Sequence, residues 1–479
     1  MQRSLYALGL LSLVACSPEA SDSDTPSSTT ETIQVEATIT VSENPNNTLS
    51  ALVTVETPEE ATVAIAFASD DTAEQLTGTS TPGTLHELVV VGMRHKSLYD
   101  LVPVVTYTSG PTGRTEGTQF QTGKKPSGVP EFSVSVLDAE AVQPGITIVG
   151  PSSEDRGSED RPEFIGLDEQ GKIVWYYDDP DESWLKQGRD LKLMADGNLL
   201  LKTEEGLRVI TIAGDAVLDL RSEDVGYRMH HDVTMLPSGN FVALVQTERE
   251  VFVEGMGTIN QIGDGLLEVT PDGDVVWEWW TFDHIDAARF PTELSLWNER
   301  GSFDWTHANS IAYVDSDDAL LVSLRHQDWV LSIDRTTGNL NWRAGEEGDF
   351  ELVSGLWFSG QHSAYLTSDG QLSVYDNGNE RSSGGEYSRG VIYQLDTTAM
   401  TAEEIFTYTV GPFTPVIGGH RILDNGNSLL CAGGVFGDPV EVVEVSPTTG
   451  EAVWTLEIED SLLFRAQRLP SFWHTEAVP

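Results

Sequence analysis

Residues 305–327 read WTHANSIAYVDSDDALLVSLRHQ, and this stretch is the best guide to the fold. It holds two apolar runs of strand length on either side of an acidic turn at 315–318. His307 stands at the start of the first run and Arg325 at the end of the second. Because the two ends of a hairpin meet, an imidazole and a guanidinium are expected at one rim. Such a pair suits an anionic group such as sulfate or phosphate, and two merely solvated polar ends are the alternative.

Similar hairpins recur along the chain. One motif is a turn followed by a strand that often ends in Trp, as in VTPDGDVVWEWW (269–280) and VSPTTGEAVWTL (445–456). The other is a hairpin on a DGN-like turn, as in LKLMADGNLLL (191–201) and RILDNGNSLLCA (421–432). Repeats of a four-stranded unit are typical of propellers, so residues 130–479 are predicted to form a six-bladed β-propeller. A large double sandwich is the alternative.

The terminal segment RAQRLPSFW (465–473) is expected to supply part of a sixth hairpin. Ahead of the propeller, residues 32–125 contain short alternating segments such as ATVAIAFA and LVPVVTYT, with turn residues between them. This pattern predicts a small N-terminal β-sandwich with a weak likeness to fibronectin type III domains. The whole chain is therefore expected to be all-β.

Residues 1–16 (MQRSLYALGLLSLVAC) have the pattern of a secretion signal that ends in a bacterial lipobox. Cys16 is the expected lipidation site, and an ordinary cleaved signal is the alternative. Residues 17–31 are rich in Ser, Thr, Pro and acids, which is typical of a disordered tether. With Cys16 acylated only Cys431 remains, so no intrachain disulfide is expected. These features predict an exported protein, periplasmic or at the cell surface, that meets a membrane only through its lipid anchor.

The chain carries 76 acidic and 27 basic residues, a formal net charge of −49. Nucleic acids and anionic membrane surfaces are therefore unfavourable partners. An anionic substrate would need a local positive site that overcomes this field.

Counting back from the hairpin turns brings five basic residues to one strand face. Arg189, His231 and His362 lie eight residues before the turn glycines 197, 239 and 370, and His307 and His420 share their parity. The five are predicted to surround one mouth of the central channel. His230 remains an alternative to its neighbour His231.

Three chemistries could use such a ring of histidines. Metal binding is one, but Arg325 nearby would oppose a cation, and no metal is expected. General acid–base chemistry is the second, because histidine titrates near neutrality. Nucleophilic catalysis is the third, because a neutral imidazole can attack sulfur or phosphorus.

The segments HHDVTMLPSGN, DWTHANSIAYVDSDDALLVSLRHQ, SGQHSAYLTSDGQLSVYDNGN and YSRGVIYQLD resemble the bacterial arylsulfate sulfotransferase family. The resemblance implies sulfuryl transfer from a phenolic sulfate ester to a phenol, with no nucleotide donor or other cofactor. It implies a ping-pong path through a sulfohistidine, with His362 as the nucleophile. His307, Arg325 and His231 would then bind and stabilise the sulfuryl group.

Aromatic residues near these motifs are expected to hold the aryl ring, namely Trp305, Tyr387 and Trp357, although core packing is an equal alternative for each. Two other functions remain open. One is a non-catalytic propeller that binds a partner at the cell surface. The other is a different propeller enzyme, such as a quinone-cofactor dehydrogenase or a metal-dependent hydrolase. The oligomeric state is open, with a homodimer as one option.

Overall fold

The computed structural model of this chain describes residues 35–152, 161–179, 190–203, 205–289, 301–379, 381, 385–434 and 439–473. The expected signal, the tether and Cys16 lie outside these ranges, as does Arg189. Within them, no helix has the length and apolar character needed to cross a membrane.

The N-terminal domain is one curled antiparallel sheet. Its strands are β1 (Thr38–Glu43), β2 (Ala51–Ser69), β3 (Thr72–Leu76), β4 (Gly83–Val90), β5 (Leu98–Tyr107), β6 (Thr112–Arg114) and β7 (Thr118–Gln121). The long strand β2 pairs with β1 and β4 in its first half and with β3 and β5 in its second half. The sheet thereby folds over on itself around one core, which includes Val53, Ile65 and Tyr99. Buried side chains alternate with more exposed ones in the first part of β2, which is the pattern expected when one face is covered, whereas Val63–Phe67 are all buried.

The remaining strands form six small sheets, which are the blades of a propeller. The first three blades, each from the innermost strand outwards, are β34 (Leu462–Leu469), β9 (Ile146–Ser152), β10 (Phe164–Leu167) and β11 (Ile173–Tyr177); β12 (Asp190–Leu193), β13 (Leu199–Lys202), β14 (Gly206–Ile210) and β15 (Ala216–Arg221); β16 (Met229–Met235), β17 (Phe241–Val253), β18 (Gly257–Val269) and β19 (Val275–Trp280). The last three are β21 (Ala308–Val314), β22 (Ala319–Leu324), β23 (Trp329–Asp334) and β24 (Leu340–Gly345); β26 (His362–Leu366), β27 (Gln371–Asp376), β28 (Arg389–Asp396) and β29 (Thr401–Thr409); β30 (Gly419–Ile422), β31 (Ser428–Ala432), β32 (Val440–Val445) and β33 (Ala452–Ile458).

Several short elements are present in addition to the four strands of each blade. They are the added strands β8 (Phe132–Val136), β20 (Phe303–Asp304) and β25 (Glu351–Ser354), the helices α1 (Ser222–Val225) and α2 (Thr281–His284), and the 3-10 turns Asp315–Asp317 and Arg325–Gln327. The prediction of an all-β chain with a six-bladed propeller is confirmed.

The ring closes at two places. The terminal strand β34 is the inner strand of the first blade and pairs with β9. The early strand β8 adds to the outer edge of the last blade by pairing with β33. Segment 465–473 thus completes a blade begun at the other end of the propeller. Closure of this kind leaves few exposed strand edges.

The recurring outer-strand tryptophans explain one of the sequence repeats. The indole nitrogens of Trp175, Trp279 and Trp454 donate to carbonyl oxygens of Ile212, Gly338 and Glu169, at 3.0, 2.9 and 2.8 Å. Each acceptor belongs to a turn of the following blade. The tryptophans therefore fasten neighbouring blades to each other, besides filling the space between them.

The two faces of the propeller differ. The DGN-type turns end the inner strands on one face, where a glycine such as Gly197 adopts a φ of +85° that favours glycine. The N-terminal domain contacts this same face through Asn44, whose amide donates to Ala213 O at 2.8 Å, and through an Arg94–Asp168 ion pair at 2.6 Å. The longer connections, and the histidines of the repeats, lie on the opposite face, called the mouth below.

Candidate active site

Several inner strands begin with an irregularity at the mouth. His231, His307, Ser363 and Ile417 adopt φ values of +51°, +48°, +56° and +52°, a region that residues with a Cβ seldom occupy. In the third, fourth and fifth blades the pairing register also shifts at this point. The inner strand gains two residues at the irregularity in the third blade and one in the fourth and fifth blades, and such a bulge turns a side chain to a new direction. Strain at the entry of several neighbouring inner strands makes the mouth the candidate functional site.

Three imidazole rings lie side by side at the mouth. The centroids of His231 and His307 are 4.8 Å apart, and those of His307 and His326 are 4.5 Å apart. His326 is buried, and His307 is half-buried with a quarter of its side chain exposed. The structure therefore brings together two predicted histidines and adds a third that sequence counting missed.

Asp304 orients two of these rings. Its Oδ2 lies 2.6 Å from His307 Nδ1, and its backbone oxygen lies 2.7 Å from His326 Nδ1. Burial opposes ionisation of Asp304, but the charge and hydrogen bond of His307 and the charge of His326 lower the pKa of this carboxyl to about 2. Its position three residues before His307 is the signal that could have identified it.

Asp304, His307 and His326 are close enough to hold a metal ion. However, each Nδ1 faces an oxygen that can only accept, so each Nδ1 carries a proton and is not a lone-pair donor. A metal would have to displace both contacts. The donor set fits a hydrogen-bonded carboxylate–imidazole pair better than a metal centre, and His307 then has its lone pair on Nε2.

His362 is held in one orientation by Asn377. Its Nδ1 lies 2.7 Å from Asn377 Oδ1, while Asn377 Nδ2 donates to the carbonyl oxygens of Thr414 and Ile417 at 2.7 and 2.9 Å. Because those two acceptors fix the amide, the atom facing His362 is the oxygen, and His362 Nδ1 must carry a proton. Its lone pair is consequently on Nε2. Burial, followed by the positive charge of Arg325, holds the pKa of His362 well below its usual range.

Arg325 meets His307 as the hairpin geometry predicts. The Arg325 amide donates to His307 O at 3.1 Å, and the guanidinium Nη2 donates to Pro415 O at 3.2 Å. Arg325 is largely buried, so its charge is weakly screened. It thus links the fourth blade to the connection that precedes β30.

The start of β26 is fastened to the fourth-blade hairpin. Asn309 Nδ2 donates to Gln361 O at 2.7 Å, and Gln361 Nε2 donates to the carbonyl oxygens of Leu324 and Trp329 at 3.2 and 3.0 Å. These contacts couple the stretch 305–327 to the segment that contains His362. Two motifs far apart in sequence therefore form one unit.

Below the mouth, an ion network connects inner strands across the channel. Arg465 Nη1 lies 2.7 Å from Asp190 Oδ2 and 2.8 Å from Asp232 Oδ2, and Nη2 donates to Asn309 O at 2.9 Å. Lys192 Nζ adds a contact of 3.0 Å to Asp232 Oδ1. Strands from four blades are joined in this way. No sequence pattern singled out Arg465, because its partners lie hundreds of residues away.

The channel is locally positive. Three cationic side chains lie there, namely Lys192, Arg421 and Arg465. Among the described charged residues that interact with them, the anionic partners are Asp190 and Asp232. Arg325 and the histidines stand above them. A protein of net charge −49 thus holds a basic channel, as an anionic substrate would require.

His420 does not join the mouth, so that prediction was wrong. Its Nδ1 lies 2.9 Å from Ser373 Oγ, its ring faces Phe406, and burial lowers its pKa to about 4. The reason is parity. In the regular strand β30 the channel-facing residue is Arg421, five positions before the turn glycine, and His420 faces the fifth blade. In β21 and β26 one extra residue reverses this count, whereas β16 has two extra residues between Met229 and Val233, where His231 lies.

The three aromatic candidates lie in different environments. Trp305 is fully buried, donates to Arg289 O at 2.8 Å and stacks on Phe282, so it is a core residue and not part of the mouth. Trp357 packs against Tyr393 in the third strand of the fifth blade, away from the channel. Tyr387 is half-buried in the connection after β27, on the mouth side, with the Arg381 guanidinium 3.8 Å from its ring centroid.

The fold and the site define a six-bladed propeller with a histidine and arginine cluster at the mouth of a basic channel. The sequence profile described as Arylsulfotransferase (ASST) matches residues 135–465, which is more than half of the chain. The protein therefore belongs to the arylsulfotransferase family.

Individual relatives match over shorter stretches. "Arylsulfate sulfotransferase AssT" of Lelliottia amnigena is 29% identical over 138 residues, covering 22% of this chain and 23% of the relative. The protein of the same name from Escherichia coli O6:H1 is 28% identical over 142 residues, with the same coverages. The matches thus span about a quarter of each relative. A solved structure, the periplasmic gluconolactonase PpgL of Pseudomonas aeruginosa, has 13% identity and a TM-score of 0.37, covering 67% of this chain and 98% of its own. A likeness this low assigns no function.

Proposed function

We propose that this protein transfers a sulfuryl group from a phenolic sulfate ester to a phenol through a sulfohistidine at His362. The observation that carries the proposal is the state of His362: a buried imidazole with Nδ1 committed to Asn377 and its lone pair on Nε2. A nucleophile needs that lone pair. The depressed pKa of His362 keeps it available at neutral pH.

Two half-reactions complete the transfer. In the first, Nε2 of His362 attacks sulfur, the bond from sulfur to the phenolic oxygen breaks, and its electron pair leaves with that oxygen. In the second, the oxygen of an acceptor phenol attacks the same sulfur, and the nitrogen–sulfur pair returns to Nε2. No electron is gained or lost, so the sequence of steps requires no redox cofactor.

Charge at the mouth supports this chemistry. The transferred group carries negative charge on its oxygens, and charge shifts onto the leaving oxygen in the transition state. Arg325 and His307 are the groups proposed to contact these oxygens, because they share the hairpin end beside His362. Preorganised donors in a site that excludes water are the largest contribution to many such reactions.

The aryl rings of donor and acceptor are proposed to lie above the cluster, with Tyr387 as the aromatic contact. Export and lipidation at Cys16 remain predictions from the N-terminal sequence. A homodimer remains an option for the assembly. No nucleotide or other cofactor is part of the proposed reaction.

Incubation with 4-nitrophenyl sulfate in the absence of acceptor tests the proposal. A burst of nitrophenolate is expected, together with a mass increase of one sulfuryl group that is labile to acid and maps to His362. Adding phenol should then release the label as phenyl sulfate. A stable label on another residue, or turnover with no covalent species, would contradict the sulfohistidine. Because no metal or cofactor is added, activity of this preparation would also argue against the dehydrogenase and metal-hydrolase alternatives.

A further inference from the structure

His230 and His231 are joined through their rings. Their Nδ1 atoms are 2.7 Å apart, and the rings are nearly perpendicular, with centroids 5.0 Å apart. One of the two nitrogens must donate and the other must accept. His230 is buried, whereas His231 is half-buried and lies against His307 at the mouth. The pair therefore leads from the mouth into the protein.

Asp264 in β18 lies at the inner end of this pair. Its Oδ1 is 3.1 Å from His230 Nε2, at ion-pair distance but out of line for a hydrogen bond. Neither atom has a hydrogen-bond partner among the described residues. The other oxygen, Oδ2, accepts from Thr306 Oγ1 and Ala308 N at 2.5 and 2.6 Å. Oδ1 of Asp264 is thus left facing the imidazole of His230.

These contacts indicate which imidazole donates the hydrogen bond between His230 and His231. A carboxylate next to His230 Nε2 favours a proton on that nitrogen, so His230 Nδ1 holds a lone pair and accepts from His231 Nδ1–H. The lone pair of His231 is then on Nε2. A proton taken up at that nitrogen can be shared through the 2.7 Å contact and is stabilised by Asp264.

We propose that Asp264, His230 and His231 form a proton relay that holds one proton between the two half-reactions. This inference rests on the proposed function and adds to it the source and destination of the phenolic proton. Neither the family match nor the fold assigns a role to His230 or Asp264.

One proton moves in each half-reaction. In the resting enzyme the histidine pair carries one extra proton, on His231 Nε2. When the sulfur–oxygen bond of the donor breaks, this proton moves to the leaving phenolic oxygen, and the pair becomes neutral. In the second half-reaction the acceptor phenol gives its proton back to His231 Nε2 as its oxygen attacks sulfur. The enzyme returns to its first state with no net gain of protons.

The surroundings favour this assignment. The charged groups that face the pair are Asp264 and Asp304, with His307 beside His231. Two carboxylates stabilise an extra proton on the imidazoles. His307 has its own carboxylate partner in Asp304 and shares the hairpin end with Arg325, which suits it to contact the transferred group instead.

The dependence of rate on the leaving group tests the relay. The variant is His230→Gln, which keeps polar atoms beside His231 but cannot take up a proton at neutral pH. The donors are a series of aryl sulfates that differ in how readily the phenolate leaves. At one end is 4-nitrophenyl sulfate, whose phenolate leaves without help, and at the other is phenyl sulfate, whose phenolate needs a proton. With the nitrophenyl ester, kcat/KM should stay within about threefold of wild type. With phenyl sulfate it should fall by about 10²-fold, the usual contribution of general acid catalysis.

His420→Gln is the matched control, because it removes a buried imidazole outside the mouth. Its rates should follow the leaving group as those of wild type do. If His230→Gln lowered kcat/KM by the same factor for every donor, His230 would be structural and the relay would be wrong. Labelling of His362 by 4-nitrophenyl sulfate in the same variant separates the two proposals. If wild-type protein acquired no label at His362, the sulfohistidine would be overturned. If His230→Gln were labelled normally and showed no leaving-group effect, only the relay would be overturned.

Discussion

The inner strands of the fifth and sixth blades start from the same kind of sequence and present their histidines differently. In β26, a left-handed Ser363 and a shift in register follow His362, and the imidazole lies at the mouth. In β30, pairing is regular from Gly419 onwards, and His420 packs between blades. One extra residue in a strand therefore decides whether a histidine lies at the mouth or fills the core. The channel-facing residues Arg421, in the regular strand β30, and Tyr365, which follows the register shift in β26, both lie five positions before the turn glycine.

Replacing each of these two histidines should show the largest contrast. His362→Asn should lower sulfuryl transfer by about 10³-fold or more, because the proposed nucleophile is lost. His420→Asn should leave transfer by the folded protein close to wild type. Nitrophenolate release and thermal unfolding, measured on both variants, check this. Equal losses of activity would mean that the two positions do not differ in function.

Arg325→Lys tests the charge beside His362. Lysine keeps the positive charge but loses the planar fork, so we expect turnover to fall by about 10²-fold. Arg421→Lys is the comparison, since it alters an arginine of the channel below the mouth, and its loss should be smaller. Steady-state kinetics with 4-nitrophenyl sulfate and phenol separate them. Wild-type turnover in Arg325→Lys would place that residue outside the reaction.

The pH profile should report the environment of His362. Since its pKa is depressed, the wild type should keep a neutral nucleophile through neutral pH and lose activity only well below the usual histidine pKa of about 6.5. Asn377→Asp adds a negative charge at Nδ1 and raises the pKa, so the acid-side loss should move to higher pH. At pH 6 the variant should be several-fold weaker, relative to pH 8, than wild type. An unchanged acid limb would contradict the assignment of that limb to His362.

Ser363 offers the most local test. Ser363→Gly should be tolerated, because glycine adopts a positive φ freely, whereas Ser363→Val should destabilise the fold by about 1–2 kcal/mol. Urea unfolding measures both, and Ser363→Ala controls for loss of the hydroxyl. If the bulge orients His362, the valine variant should also lose activity by about tenfold at a temperature where it is folded. Normal activity with normal stability would show that the bulge is not required.

Much of this protein follows from its sequence alone. Alternating apolar residues with period two define the strands, and DGN-type turns with a glycine at positive φ define where inner strands end. The repeated tryptophans and turns specify a propeller, and residues 305–327 specify a hairpin that brings His307 to Arg325. All of these are local patterns, which a sequence records directly.

Tertiary structure decided the rest, because it depends on residues that are distant in sequence. The bulge in β26 reversed the strand parity, so His362 lies at the mouth where counting placed it, whereas His420 in the regular strand β30 packs between blades. Asn377 and Asp264 reach His362 and His230 only because the end of β27 and strand β18 pass beside the mouth. Arg465 meets Asp190 only because the last strand closes the ring. The tautomer of each histidine is set by these partners. Periodicity in the chain carries no record of which carboxylate or amide a neighbouring blade will supply.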